Sequence, residues 1–158
     1  PVNIGRRIVV LDTSALMEHP ELLQELRSND IPVVPLRVLS ELDGLKSSED
    51  ETRAVKARAA IRQLDAGSSR IRHEKDHTAL LPAEWDARES DHAILSTALF
   101  FRLNAVLFVS NDINLRNKAK SLGLNTQDSK SYASSRLVPA AASEAHVQIK
   151  NKQKNKRR

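Results

Sequence analysis

Two runs of consecutive apolar residues stand out along the chain: residues 8–11 (IVVL) and residues 105–109 (AVLFV). Unbroken runs this short, rich in β-branched residues, are the pattern of parallel strands buried on both faces. Each stops abruptly at polar residues, the first at Asp12, Thr13 and Ser14 and the second at Ser110, Asn111 and Asp112. Residues 31–36 (IPVVPL) read as a third strand, which Pro32 and Pro35 confine to a place near a sheet edge or to a short length, because proline removes ladder donors. Residues 71–74 and 124–127 read as two further short strands. Helical spacing fills the intervals. Thr13 and Ser14 offer capping oxygens to a helix starting at Ala15, and Pro20 opens a helical piece with Leu22, Leu23 and Leu26 on one face. Further helices are expected over residues 38–46 (stripe Val38, Leu42, Leu45), 52–65 (stopped by Gly67), 90–103 (amphipathic, with Ile94, Leu95, Ala98, Leu99 and Leu103 apolar) and 113–122 (ended by Gly123). Residues 47–51 read as a loop with an acidic helix start, and residues 77–86 as irregular. Strands alternating with helices predict an α/β fold with a mostly parallel sheet covered on both faces.

Composition narrows this picture. At 158 residues the chain suits one domain, and 40% apolar with 28% charged residues is enough for a packed core, which 3% aromatics makes aliphatic. There is no cysteine, which excludes disulfide frameworks, thiolate zinc sites and cysteine nucleophiles. No apolar stretch approaches the roughly 20 residues of a membrane span, and no signal-like segment opens the chain, so a cytoplasmic protein without membrane association is expected. The net charge of +5 points to a polyanionic partner, but its location matters. From His146 onward lie Lys150, Lys152, Lys154, Lys156, Arg157 and Arg158 with no acid, whereas residues 1–145 hold 19 basic against 20 acidic groups. The expected organisation is therefore a folded domain over residues 1–136 and a disordered basic tail over residues 137–158.

The chemistry rests on acids. In open parallel sheets ligands bind beyond the carboxyl ends of the strands. Asp12 and Asp112 are delivered there by the two clearest strands, while Asp91 (ESDHAIL) lies in the first turn, and Glu41 (VLSELDGLK) one turn in, of helices that open near that edge. Carboxylates gathered in a cleft raise one another's pKa, and a divalent cation relieves the repulsion; hard oxygen donors suit Mg²⁺ or Mn²⁺. Such a site supports hydrolysis of a phosphodiester by metal-activated water. Taken singly, each acid has a plain structural role available: Asp12 and Asp112 as helix caps, Asp91 as a complement to a helix dipole, Glu41 as a solvated helix residue.

Four segments, VVLDTSAL, VLSELDGLK, ESDHAILSTA and VSNDINLRNKA, in that order over about residues 8–128, resemble the PIN domain, a family of metal-dependent ribonucleases. The second and fourth are especially similar to PIN modules attached to PhoH-type ATPases. The resemblance implies a three-layer α/β/α fold. It makes Asp12, Glu41, Asp91 and Asp112 the catalytic acids that hold one or two Mg²⁺ or Mn²⁺ ions, with Thr13 or Ser14 and Ser110 as neighbouring hydroxyls. Many members carry a further acid where this chain has Asn114, a departure that bears on the second metal. The implied activity is endonucleolytic hydrolysis of single-stranded RNA. The resemblance leaves open a toxin or an RNA-processing role, and an antitoxin, a PhoH-type ATPase module or a second copy of the chain as partners. No GxxxxGK[ST] P-loop occurs in the sequence.

Other features carry less. Arg116 and Lys118, with Lys120, follow Asp112 on a helix and are candidate phosphate contacts, as are the six basic residues of the tail, though a solvated helix face has the same pattern. His92 lies about 100° around the helix from Asp91, and His73 and His77 share an i, i+4 spacing without an evident third ligand; structural roles are expected for all three. Trp85 reads as a packing residue and Glu89 as a surface acid. The competing function is a PIN fold kept as an RNA-binding or assembly module with little cleavage. A phosphatase or receiver-like domain built on Asp12 is disfavoured, because DTS lacks a second Asp and no acid pair precedes Asp12.

Overall fold

The apolar run at residues 8–11 forms the centre of the molecule. In the computed structural model, which describes residues 6–136, it lies in strand β1 (Arg7–Leu11), whose Val9, Val10 and Leu11 are fully buried. The chain continues through α1 (Thr13–Glu18), a 3-10 turn (Pro20–Gln24), β2 (Asp30–Pro35), α2 (Leu36–Leu45), α3 (Glu51–Ala66) and β3 (Arg72–Glu74). A second 3-10 turn (Thr78–Leu80) leads into α4 (Ser90–Phe100), β4 (Val106–Val109), α5 (Ile113–Ser121), β5 (Asn125–Gln127) and α6 (Ser129–Arg136). The five strands form one parallel sheet in the order β3-β2-β1-β4-β5, with helices on both sides. From β1 the chain builds outward to β3, then returns to lay β4 on the other flank of β1. The strand order therefore reverses between β1 and β4, and the crevice outside their carboxyl ends is where a sheet of this kind opens a binding site.

β2 is six residues long and lies one strand in from the edge, outflanked by β3, which pairs only with Val33–Pro35. Its prolines fit because Pro32 lies beyond the end of β3 and Pro35 closes the strand as the residue before α2.

Three elements depart from expectation. α1 begins two residues early, because Asp12, not Thr13 or Ser14, caps it by accepting the Ala15 amide at 2.9 Å. α4 is not amphipathic: every residue from His92 to Leu99 is buried, the helix ends at Phe100, and Leu103 is 92% exposed. Its polar residues tolerate burial because Ser96 Oγ donates to the Ala93 carbonyl at 2.6 Å and Thr97 Oγ1 to the Lys75 carbonyl at 3.2 Å. α6 has no apolar periodicity in SKSYASSR; Asp128 starts it by accepting the Ser131 amide, and the buried Tyr132 anchors it. After α5 the chain turns at Gly123, whose φ of +84° suits a residue without a side chain.

His73 and His77 occupy β3 and the loop after it. His73 Nδ1 lies 2.9 Å from the Val34 carbonyl, while His77 stacks on Phe100 at 4.0 Å and meets Glu74 at 2.9 Å. Both histidines are engaged structurally. The expected basic tail, including Lys150, Lys152, Lys154, Lys156, Arg157 and Arg158, lies outside the described residues.

Candidate active site

Asp12 follows directly on β1 and is 3% exposed. Its carboxylate is surrounded by small donors: the Ala15 amide, Ser14 Oγ at 2.9 Å from both oxygens, and Ser110 Oγ at 2.6 Å. The two hydroxyls tie the strand ends together. Ser14 Oγ accepts the Asn111 amide at 2.9 Å, and Ser110 Oγ accepts the Asp112 amide at 3.1 Å, so the turn after β4 is locked to the turn after β1. Asp112 caps α5 by accepting the Leu115 amide at 3.0 Å, which leaves it exposed at the same edge. The plain structural role and the position in the crevice coincide at both acids.

Glu41 and Asp91 approach from the helices. Glu41, in the second turn of α2, receives Thr13 Oγ1 on one carboxylate oxygen at 2.6 Å and Ser90 Oγ on the other. Those hydroxyls fix it between the end of β1 and the start of α4. Asp91 is half-buried in the first turn of α4. The four acids line one pocket of about 370 Å³, together with Thr13, Ser14 and residues of α1 and α3. Asn114, the second residue of α5, is exposed and is not part of its lining.

The electrostatics are those of concentrated negative charge. Burial pushes the Asp12 carboxyl up to about 6, against the pull of its Ser110, Ala15 and Ser14 hydrogen bonds; the Asp91 charge adds to the rise. Asp91 is itself raised by burial, then by the charges of Asp112 and Glu41. Among the described residues none of the four acids takes part in an ion pair. An all-oxygen donor set in which the ionised forms of Asp12 and Asp91 are disfavoured by burial and by neighbouring acids matches a hard divalent cation in kind. Among the described residues, no three acidic or histidine side chains already close into a metal cage. The four acids are instead spread along the wall of the pocket.

Several candidates from the sequence are placed elsewhere. Arg116 donates to the Ser110 carbonyl at 2.7 Å, bracing the end of β4. Lys118 lies 3.0 Å from His92 Nε2 and 3.7 Å from Glu89, and neither basic residue lines the pocket. His92 is buried, with Nδ1 2.7 Å from the Asp86 carbonyl and Trp85 packed at 4.7 Å. Conversely, sequence reasoning passed over Ser90, which holds Glu41, and Thr52, Arg53 and Lys56 of α3, which form a wall of the pocket. Serine directly before Asp91 was the available signal for the first. Nothing local ties α3 to the strand ends, and only tertiary packing brings it there.

The PIN domain family model matches residues 9–130. The chain is 32% identical to protein PhoH2 of Thermobispora bispora over 140 residues, 77% of this chain and 31% of that protein. It is 30% identical to protein PhoH2 of Bacillus subtilis over 146 residues, 77% of this chain and 33% of that protein. The chain thus spans about a third of the length of these curated relatives. Among solved structures, the PIN domain of human SMG5 superposes with a TM-score of 0.53 at 22% identity, covering 81% of this chain and 97% of that one.

Proposed function

The chain belongs to the PIN domain family, whose members are generally metal-dependent ribonucleases, and from that premise we propose that it is an endoribonuclease hydrolysing phosphodiester bonds of single-stranded RNA with Mg²⁺ or Mn²⁺. The observation that carries the proposal is the convergence of Asp12, Glu41, Asp91 and Asp112, from four distant segments, on one pocket where, among the described residues, none of them has an ion-pair partner. An enzyme tolerates such uncompensated charge at a site that must hold a cation.

Asp12, Glu41, Asp91 and Asp112 are the residues that would hold the ion, which when bound supplies an activated water and neutralises charge at the scissile phosphate. The remaining roles belong to the chain. Ser14 and Ser110 keep the Asp12 carboxylate oriented, Thr13 and Ser90 do the same for Glu41, and the buried floor under Asp12 limits water.

Cleavage of labelled single-stranded RNA with Mn²⁺, compared with the chelated protein and with Asp12→Asn, tests the assignment: loss in both is expected, and undiminished cleavage by the variant overturns it. The second reading, an RNA-binding or assembly module with little cleavage, draws on the absence of a closed metal cage among the described residues and on Asn114. Mn²⁺ calorimetry separates the two, since only the nuclease takes up metal in a manner dependent on Asp91 or Asp112. The likeness to PhoH2 proteins supports a place beside a PhoH-type ATPase module.

A further inference from the structure

The pocket is not uniformly acidic. Its lining contains five acids, the four named above and Glu18, against two cations, Arg53 and Lys56, a formal charge of −3. One divalent ion leaves −1, still unfavourable for a polyanion, so the two cations decide whether RNA can approach. Both belong to α3 and are three residues apart, which places their stems on one helix face about 5–6 Å from each other. Arg53 is exposed, and its side chain makes no hydrogen bond or ion pair among the described residues. Lys56 reaches Glu18 at 2.7 Å, an exposed pair that a phosphate can displace at little cost. Arg58, further along α3, shows what a structural arginine looks like here: it is taken up by Glu51 and by the Lys46 carbonyl.

We propose that Arg53 and Lys56 form a phosphate subsite on the α3 wall of the pocket, which takes a phosphodiester of single-stranded RNA next to the one cleaved. The inference rests on the nuclease reading for the identity of the polyanion. Binding at the subsite is electrostatic and independent of base sequence, because phosphate contacts position a strand without reading it. Lys56 exchanges Glu18 for the phosphate, and Arg53 reaches it without giving up a partner.

The test is fluorescence anisotropy of a fluorescein-labelled single-stranded RNA oligonucleotide with the full chain in EDTA, where nothing is cleaved, over a series of salt concentrations. Arg53→Gln with Lys56→Gln is expected to weaken binding roughly tenfold and to flatten the log–log salt slope by about 1.4, two contacts on a single strand. Arg53→Lys should restore most of the Arg53 share. Arg62→Gln, an equal loss of charge on α3 away from the pocket, should have less effect than Arg53→Gln. Wild-type binding with an unchanged slope in the double variant, or an equal effect of Arg62→Gln, overturns the subsite alone. Failure of the wild-type chain to bind RNA overturns the subsite and the RNA assignment together. Loss of binding in the double variant with metal-dependent cleavage absent from the wild type leaves the subsite standing and overturns the nuclease reading.

Discussion

Asp12 and Asp30 are carboxylates buried to nearly the same degree, 3% and 4% exposed, at opposite ends of the same parallel sheet. Asp30 opens β2 at the amino end and is fully answered there. Arg7 grips both its oxygens at 3.2 and 2.9 Å, Tyr132 Oη donates to it at 2.6 Å, and the Arg7 guanidinium lies 5.8 Å from the centre of the Tyr132 ring. The consequences appear in its partners: the Asp30 hydrogen bond holds the Arg7 guanidinium above its ordinary pKa, and burial followed by the Asp30 hydrogen bond raises the Tyr132 phenol. Asp12 closes β1 at the carboxyl end and meets only neutral donors and other acids. The amino end thus uses a buried acid as a clamp for α6, and the carboxyl end keeps one uncompensated. That difference separates a compensated acid from an uncompensated one, which sequence alone does not do, since both stand at strand boundaries.

The sharpest way to break the contrast is to remove the clamp. Asp30→Ala leaves Arg7 and the Tyr132 hydroxyl without their partner and is expected to cost about 3 kcal/mol, the low end for a broken buried pair because Arg7 is partly exposed. At roughly 4 °C per kcal/mol for a domain of this size, Tm falls by about 10 °C or more. RNA cleavage measured well below that Tm should be near wild type. If cleavage disappears with folding intact, the amino end is coupled to the site and the two acids are not separable.

At the other end the signs reverse. Asp91→Asn is expected to lower cleavage at least ~100-fold, about 2.7 kcal/mol, because a ligand is lost. Without divalent metal the same change should raise Tm, since Asp91 is disfavoured by burial and by Asp112 and Glu41. Thermal unfolding with and without Mn²⁺ reads both effects. An apo Tm lower than wild type would show that Asp91 is a structural residue like Asp30.

How far this was visible in the residues depends on where the information lies. β1 and β4 were legible because burial on both faces writes itself as an unbroken apolar run, and the acids ending them marked the crevice before any topology was known. α4 was misread because burial all round is indistinguishable from a striped helix when Ser96 and Thr97 occupy positions whose partners are backbone carbonyls on other turns and loops. α6 was invisible because it is held by tertiary contacts, Tyr132 on Asp30 and the Ser129 amide on Asn111 Oδ1 among them, rather than by an apolar pattern of its own. The four acids were legible as a set, whereas Arg53 and Lys56 were not, because only the packing of α3 on α1 and α2 turns them toward the pocket.

Acidity offers a third comparison. The folded-state pKa of Asp12, raised to about 6 from 3.8, means that the folded protein binds this proton more tightly than the unfolded chain. The stability it contributes is fully present below about pH 3.8 and is lost as pH rises through about 6. In the absence of metal, wild type is therefore expected to gain stability relative to Asp12→Asn between pH 7 and pH 5. In Mn²⁺ the trend should reverse, because the proton then competes with the metal, and RNA cleavage at sub-saturating Mn²⁺ should fall as the pH is lowered. A wild-type-minus-variant difference that is flat with pH in EDTA would mean that Asp12 is compensated as Asp30 is.

The smallest expected effects come from deleting one hydroxyl at each acid, and they compare the two ends most directly. Ser90→Ala removes the donor to one oxygen of Glu41 and leaves Thr13 on the other at 2.6 Å, so the carboxylate keeps its place but gains freedom. The loss is about 1 kcal/mol of orientation, seen as a roughly fivefold fall in kcat with Tm within about 2 °C of wild type, and Ser90→Thr should recover part of it. Tyr132→Phe removes a hydroxyl from Asp30 and should do the converse: Tm falls by about 4 °C and kcat is unchanged. The pair fails if Ser90→Ala moves Tm as far as Tyr132→Phe does with kcat intact, because the Glu41 carboxylate would then be held for stability and the pocket would lose one of its four proposed ligands.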